Sequence, residues 1–234
     1  MSFSKKHIIE GAHQSIIHSN RDLEDQSPFD HLFLLLHGYS ERGEKMMKRL
    51  GKRLENVSAQ KKKRFLILAP NGLYPMPKSF PITGRPTSED LLQGFAWYFY
   101  DQTKDEFLID YEVPALTLAN LLKQQNPDKV PTTIIGYSQG GYLAPFVALA
   151  YEQTTHVIGI NCSFRTELFS ELPRFKLDQI QGQKDTIIDT NRCSKRFEKL
   201  KEQGIDGDFY WLPDDDHRLS PEISEKTMAL LDGV

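Results

Sequence analysis

Cysteine is nearly missing from this chain of 234 residues, which holds only Cys162 and Cys193. No CxxC pair and no Cys/His cluster with zinc spacing is present, so neither a disulfide framework nor a metal site is expected. Surplus charge is missing as well. A net charge of −3 leaves no electrostatic footprint for nucleic acid. The one basic run, Lys61-Lys62-Lys63-Arg64, is short and reads as a solvated loop ahead of a strand. No apolar stretch approaches the roughly 20 residues needed to cross a bilayer, so stable membrane insertion is not expected. The N-terminal residues are not followed by the long apolar segment of a secretory signal. Two unpaired cysteines and no signal point to a reducing, cytoplasmic setting. Internal repeats are absent too.

What is present is alternation. Strand-like runs at His31–Leu36, Phe65–Ala69, Thr132–Ile135, His156–Asn161, Leu177–Gln181 and Phe209–Leu212 are separated by helix-like ones. The helical stretches are Glu41–Val57, Glu106–Gln125 (interrupted near Pro114), Gln139–Tyr151, Asp189–Gln203 and Pro221–Leu231. In the first of these, Met46, Met47, Leu50 and Leu54 fall on one face. Such a pattern predicts an α/β fold, a mostly parallel central sheet with helices on both faces, in one domain over residues 1–234. Lys6–His18 reads as an irregular antiparallel edge strand or hairpin.

The strongest local signal is Gly136-Tyr137-Ser138-Gln139-Gly140, between a buried strand and a helix. A serine flanked by glycines at such a junction reads as a nucleophile elbow, a turn so tight that its hydroxyl is thrust into a cleft. A Cβ at either glycine would collide with the neighbouring strand and helix. A serine hydroxyl is a poor nucleophile unless a base takes its proton and a third group orients that base. In this chain order the partners follow the serine, acid first and histidine second.

Five histidines precede Ser138, and His156 opens a strand at the wrong edge of the sheet. His217, between the strand Phe209–Leu212 and the last helix, is left as the base. Asp185, in the turn Gly182–Ile188 after a strand, is the preferred acid. Asp189 is better used as a helix cap. Asp178 lies inside a strand, and Asp214, Asp215 and Asp216 are too close to His217 in sequence to reach around to its Nδ1. Negative charge developing on an acyl oxygen needs converging N–H donors. Those of Gln139, after the nucleophile, and of Tyr39, after the strand His31–Leu36, are the candidates. His37 reads as a brace for that second loop.

Asn71–Gly94 carries too many prolines and glycines for a regular element, and an aromatic cluster, Phe95 to Tyr100, follows. Two readings stand: a packed loop closing the core, or the wall of an apolar pocket. Leu73, Tyr74 and Trp97, with Phe164 from the segment Asn161–Phe175, are the candidate substrate contacts.

These motifs together resemble the phospholipase/carboxylesterase family of α/β-hydrolases, which includes acyl-protein thioesterases and small bacterial carboxylesterases. The matching pieces are LLLHGY at Leu34–Tyr39, LAPNG at Leu68–Gly72, GFAWYF at Gly94–Phe99, GYSQGGYL at Gly136–Leu143, GQKDTII at Gly182–Ile188 and DDH at Asp215–His217. The resemblance implies an α/β-hydrolase fold with Ser138, Asp185 and His217 as a triad, and Tyr39 and Gln139 as the oxyanion hole. It implies cleavage of small-molecule esters or thioesters with an apolar acyl group, without metal or organic cofactor. Monomer and homodimer stay open. A non-catalytic binding module and a peptidase or amidase are the rival functions.

Three departures from that family carry expectations. Ser40-Glu41 replaces its usual glycine-aspartate pair at the pocket rim. Pro145 is expected to kink the helix after the elbow. Asp216, in place of a glycine, is expected to favour the protonated form of His217.

Overall fold

The structure is a computed structural model and describes residues 5–9, 15–25, 27–77, 92–101, 103–104, 106–165, 167, 169 and 171–233. Among them, eight strands form one sheet in the order β1 (Lys5–Ile9), β2 (Ser15–Ser19), β4 (Phe65–Pro70), β3 (His31–Leu36), β9 (Thr132–Tyr137), β10 (Thr154–Ile160), β11 (Lys176–Gly182) and β12 (Phe209–Leu212). The six strands from β4 to β12 are mutually parallel, while β1 and β2 pair antiparallel at one edge, as the Lys6–His18 reading expects.

Strands buried on both faces read as continuous apolar runs, and every residue of β3 is buried. Its side chains alternate between two cores. Leu32, Leu34 and Leu36 join one with Leu143 and Ala144 of α4 (Gln139–Leu149) and Leu118 of α3 (Glu112–Gln125). Phe33 and Leu35 join the other with Met46, Leu50 and Leu54, the face predicted for Glu41–Val57. That stretch is α1 (Gly43–Met46) and α2 (Lys52–Lys61), joined by a π-helical turn at Met47–Gly51. Each such apolar side chain contributes roughly 1.5–3 kcal/mol by leaving water.

Towards the C-terminus, Asp189 caps α5 (Thr190–Glu202) by accepting from the Arg192 N–H at 3.0 Å, the role expected of it. Ser220 caps α6 (Pro221–Ala229), accepting from the Ile223 N–H at 3.0 Å.

Two expectations need correction. Glu106–Gln125 is not one interrupted helix. Its first residues form β8 (Glu106–Ile109), which pairs with β7 (Phe99–Asp101). The aromatic ring of Phe107 decides this by packing among Tyr98, Tyr100 and Tyr111. Pro114 then sits in the first turn of α3, where its missing N–H is not needed, so it interrupts nothing. Pro145 lies inside α4, which runs on to Leu149. Finally, the ends of the Asn71–Gly94 stretch are regular: β5 (Tyr74–Pro77) pairs antiparallel with β6 (Leu92–Ala96). Its middle, residues 78–91, lies outside the described residues, and with it Phe80, Pro81, Gly84 and Pro86.

Candidate active site

Because β3, β9, β10, β11 and β12 run parallel, the loops at their C-terminal ends share one edge of the sheet. The order in which strands are added to the sheet reverses between β3, whose other neighbour is the later strand β4, and β9, which leads on to β10. Such a switch point opens a crevice beside the strand ends. Tyr39 follows β3 and Ser138 follows β9, so the two loops flank it.

Ser138 adopts φ 50° and ψ −119°, a conformation an L residue enters only under constraint. Its N–H donates to Ile160 O at 2.8 Å, and its own carbonyl accepts from Gly141 and Tyr142. The flanking glycines make the turn possible. A Cβ on Gly136 would lie 2.3 Å from Gly140 O, and one on Gly140 would lie 2.4 Å from Leu36 O.

His217 reaches the serine from the loop between β12 and α6. Its Nε2 lies 3.0 Å from Ser138 Oγ, placed to accept the hydroxyl proton. Its Nδ1 donates to Asp185 Oδ2 at 2.8 Å. That carboxylate is buried and fully engaged. Oδ1 accepts the N–H groups of Ile187 at 2.8 Å and Ile188 at 3.0 Å, and Oδ2 also accepts Gln181 Nε2 at 2.9 Å. Burial opposes its charge, but the donors from His217, Ile188 and Ile187 outweigh it and hold the carboxyl below the usual range. A charged acid behind the ring fixes the tautomer that leaves Nε2 as acceptor.

The N–H groups of Tyr39 and Gln139 hydrogen-bond to no other described residue. Gln139 opens α4, so its N–H belongs to the positive end of that helix. Gly38 lies against Ser138, since a Cβ there would come 3.2 Å from that of Ser138. Two free donors therefore sit in the turns flanking the hydroxyl, an arrangement suited to a developing oxyanion. His37 braces the first of these turns, as expected: Nδ1 donates to Gly38 O at 2.7 Å and Nε2 accepts the Gly72 N–H at 2.8 Å. Burial pushes its pKa down to about 4, so it stays neutral.

A serine, an imidazole and a buried carboxylate in one relay, with two unused N–H groups alongside, can carry out acyl transfer. Residues 30–218, from just before β3 through His217, match the family described as serine hydrolase (FSH1). The chain belongs to the FSH1 serine hydrolase family. No curated protein matches its sequence.

This serine hydrolase shares its fold with solved esterases. Maize (Zea mays) acyl-protein thioesterase 2 superposes with a TM-score of 0.67 at 17% identity, covering 93% of this chain and 97% of that one. A carboxylesterase from Mesorhizobium loti gives 0.67 at 14% identity over 100% of both chains. Esterase PE8 gives 0.65 at 19% identity over 88% of this chain and 93% of that one. The fold is that of the α/β-hydrolases, in keeping with the phospholipase/carboxylesterase resemblance. Among the described residues, no group of three or more His, Cys, Asp or Glu is arranged to hold a metal ion, and no helix is long and apolar enough to cross a membrane.

The remaining candidates of the hydrolase divide into rim and interior. Tyr74 is half-buried, and its ring meets that of Phe99 at 5.8 Å; Phe99 in turn meets Tyr39 at 6.4 Å. These rings form an aromatic rim on the Tyr39 side; Leu73, next to Tyr74 in the chain, is buried. Trp97 and Phe164 are not pocket walls, because both are fully buried. Trp97 Nε1 donates to His37 O at 2.8 Å and its ring packs on the His37 ring, so it supports the Tyr39 turn from behind. Phe164 packs against Phe197 of α5 and over Gly159, in the core.

The side chain of Gln139 is also structural. It accepts from the Trp97 N–H and donates to Tyr98 O, tying the elbow to the aromatic segment. At the departures, Ser40 takes φ 61°, a conformation glycine enters freely, and Glu41 pairs with Arg49 at 3.2 Å. Asp216 is taken up by Arg218, through its N–H at 2.8 Å and its guanidinium at 2.7 Å. Sequence patterns did not point to Gln181 as a partner of Asp185. A lone glutamine in a strand has no signature, and only its position four residues before the acid hints at the contact.

Proposed function

We propose that the enzyme hydrolyses carboxylic esters or thioesters with an apolar acyl part, through an acyl-enzyme on Ser138. The observation that carries this reading is the relay from Ser138 Oγ to His217 Nε2 at 3.0 Å and from Nδ1 to Asp185 at 2.8 Å. In it, Ser138 Oγ attacks the acyl carbon while His217 Nε2 takes its proton. The carbonyl oxygen becomes an oxyanion held by the N–H groups of Tyr39 and Gln139, each worth about 3 kcal/mol in the transition state. Asp185 stabilises the imidazolium and does not itself take the proton. As the tetrahedral species collapses, the bond to the leaving alkoxide or thiolate breaks and His217 returns the proton to it. Water then repeats the cycle on the acyl-serine and releases the carboxylic acid.

An apolar acyl part is favoured by the aromatic rim of Tyr39, Phe99 and Tyr74. A cytoplasmic location is part of the same proposal and agrees with two buried, free cysteines. A small-molecule substrate, handled by a monomer or homodimer, completes it.

The test is twofold. A fluorophosphonate probe should label Ser138, and Ser138→Ala should remove both labelling and turnover of p-nitrophenyl esters. Absence of labelling in the parent chain would favour a non-catalytic binding module. Across matched ester, thioester and amide substrates, a higher kcat/KM on the amide would move the enzyme to the peptidases or amidases.

A further inference from the structure

The base of the relay stands on a loop, residues 213–220, outside regular secondary structure. Three strands end beneath that loop, and each supplies one seat for it. From β9, Tyr137 donates its hydroxyl proton to His217 O at 2.7 Å. Just after β10, Asn161 donates from Nδ2 to Asp216 O at 3.0 Å and, more loosely, to Arg218 O at 3.4 Å. At the end of β11, Gly182 leaves room for the loop backbone, since a Cβ there would lie 2.4 Å from Asp216 O. Side-chain donors thus reach the carbonyls of three consecutive residues centred on His217.

The two donors are themselves held. Asn161 sits at φ 46°, its N–H donates to Ile180 O at 2.9 Å, and its Oδ1 accepts the Gly182 N–H at 2.9 Å. It therefore spans β10, β11 and the base loop. Tyr137 is buried and immediately precedes Ser138, with its ring 5.6 Å from that of His217. Burial raises its phenol well above the ordinary value, so the hydroxyl remains a donor. This bond ties the residue before Ser138 to the backbone of His217.

We propose that Tyr137 and Asn161 are positioning residues, which hold the His217 imidazole within proton-transfer distance of Ser138. This rests on the reading of His217 as the base. Neither side chain touches the reacting atoms. Their effect runs through geometry, to which general-base catalysis is steep: a displacement of about 1 Å costs on the order of 100-fold in rate.

The experiment compares Tyr137→Phe and Asn161→Gly with the parent in the full chain. Phe keeps the ring and loses only the donor. Gly enters the left-handed region freely and loses the amide without adding charge. Readouts are p-nitrophenyl ester kinetics, the rate of fluorophosphonate inactivation, thermal unfolding and the low-field proton resonance of His217 Nδ1–H.

Tyr137→Phe should lower kcat about 10-fold and Asn161→Gly up to about 100-fold, with KM within about twofold and inactivation slowed in parallel. The Nδ1–H resonance should broaden or vanish in both. The double variant should lose less than the product of the single losses, because both act through one loop. Normal kcat per labelled site in both variants would overturn the proposal. So would a loss of activity that merely follows the unfolded fraction. If Asn161→Gly does not fold, Tyr137→Phe decides alone. Full turnover in His217→Ala would instead end the reading of the site itself, whereas an inactive His217→Ala beside unimpaired Tyr137→Phe and Asn161→Gly ends only this inference.

Discussion

Among the described residues are two histidine–aspartate pairs, at opposite ends of neighbouring strands, and one of them sits beside Ser138. His156, in β10, bonds Asp178, in β11, through Nε2 at 2.9 Å. His217 bonds Asp185 through Nδ1 at 2.8 Å. Distance and chemistry are almost the same. The surroundings are not. Asp178 is also held by Lys176 at 2.9 Å and the Asp208 N–H at 2.7 Å, and both members of that pair are buried beneath the N-terminal edge of the parallel strands. The other pair leaves the second imidazole nitrogen facing Ser138 in the crevice. An Asp–His bond is thus a structural tie at one end of the sheet and, in the proposed function, part of a relay at the other. What separates them is the end of the strand on which each stands.

The largest effect expected is at the nucleophile. Ser138→Ala should lower kcat by about a millionfold, with the unfolding midpoint unchanged, in ester assays beside denaturant titration. Next comes the pair itself. Asp185→Asn should cost about 10,000-fold in kcat by selecting the wrong tautomer, whereas Asp178→Asn should leave kcat intact. Equal losses from the two would erase the distinction between the ends.

On the stability side the ranking reverses. Asp178→Asn strips charge from a buried pair and should destabilise by about 3 kcal/mol, read as a lower urea midpoint. Mild acid sharpens the contrast further. The acyl-transfer reading requires a neutral imidazole, so kcat/KM should fall on the acid side; a rate level down to about pH 4 would exclude histidine as base.

Two other histidines contribute to the acid dependence of folding stability. Burial holds His31 and His37 each near pKa 4, against 6.5 for the ordinary group. The folded state therefore binds fewer protons than the unfolded chain between those values. Stability is full above pH 6.5 and declines as pH falls towards 4, by up to about 3 kcal/mol per group. Replacing His31 with Asn should flatten the dependence of the urea midpoint on pH in that window. An unaltered slope would mean that His31 is not held neutral.

Much of this architecture is written locally. The alternation of apolar runs with helical stretches marks the parallel sheet, because strands buried on both faces need apolar residues at every position. Gly136, Ser138 and Gly140 mark the elbow, because only a residue without Cβ fits those two approaches. Chain order then singles out His217 and Asp185. The misreadings fall where local pattern and packing disagree. Phe107 carries Glu106–Ile109 into a strand by joining an aromatic cluster with Tyr100 of β7 and Tyr111, just before α3. Trp97, assigned to the pocket by its composition, is turned inwards by the His37 carbonyl.

By itself the sequence determined which residue types are available and the order in which the strand ends present them, since periodicity and backbone sterics act over a few residues. The tertiary structure alone decided that Asp185 is held by Gln181 and two N–H groups, that Asp178 closes on His156, and that Tyr137 and Asn161 lie under the base loop. Those contacts join residues up to 80 positions apart, as between Tyr137 and His217. They exist only once neighbouring strands have aligned their ends, and no short-range pattern along the chain encodes that alignment.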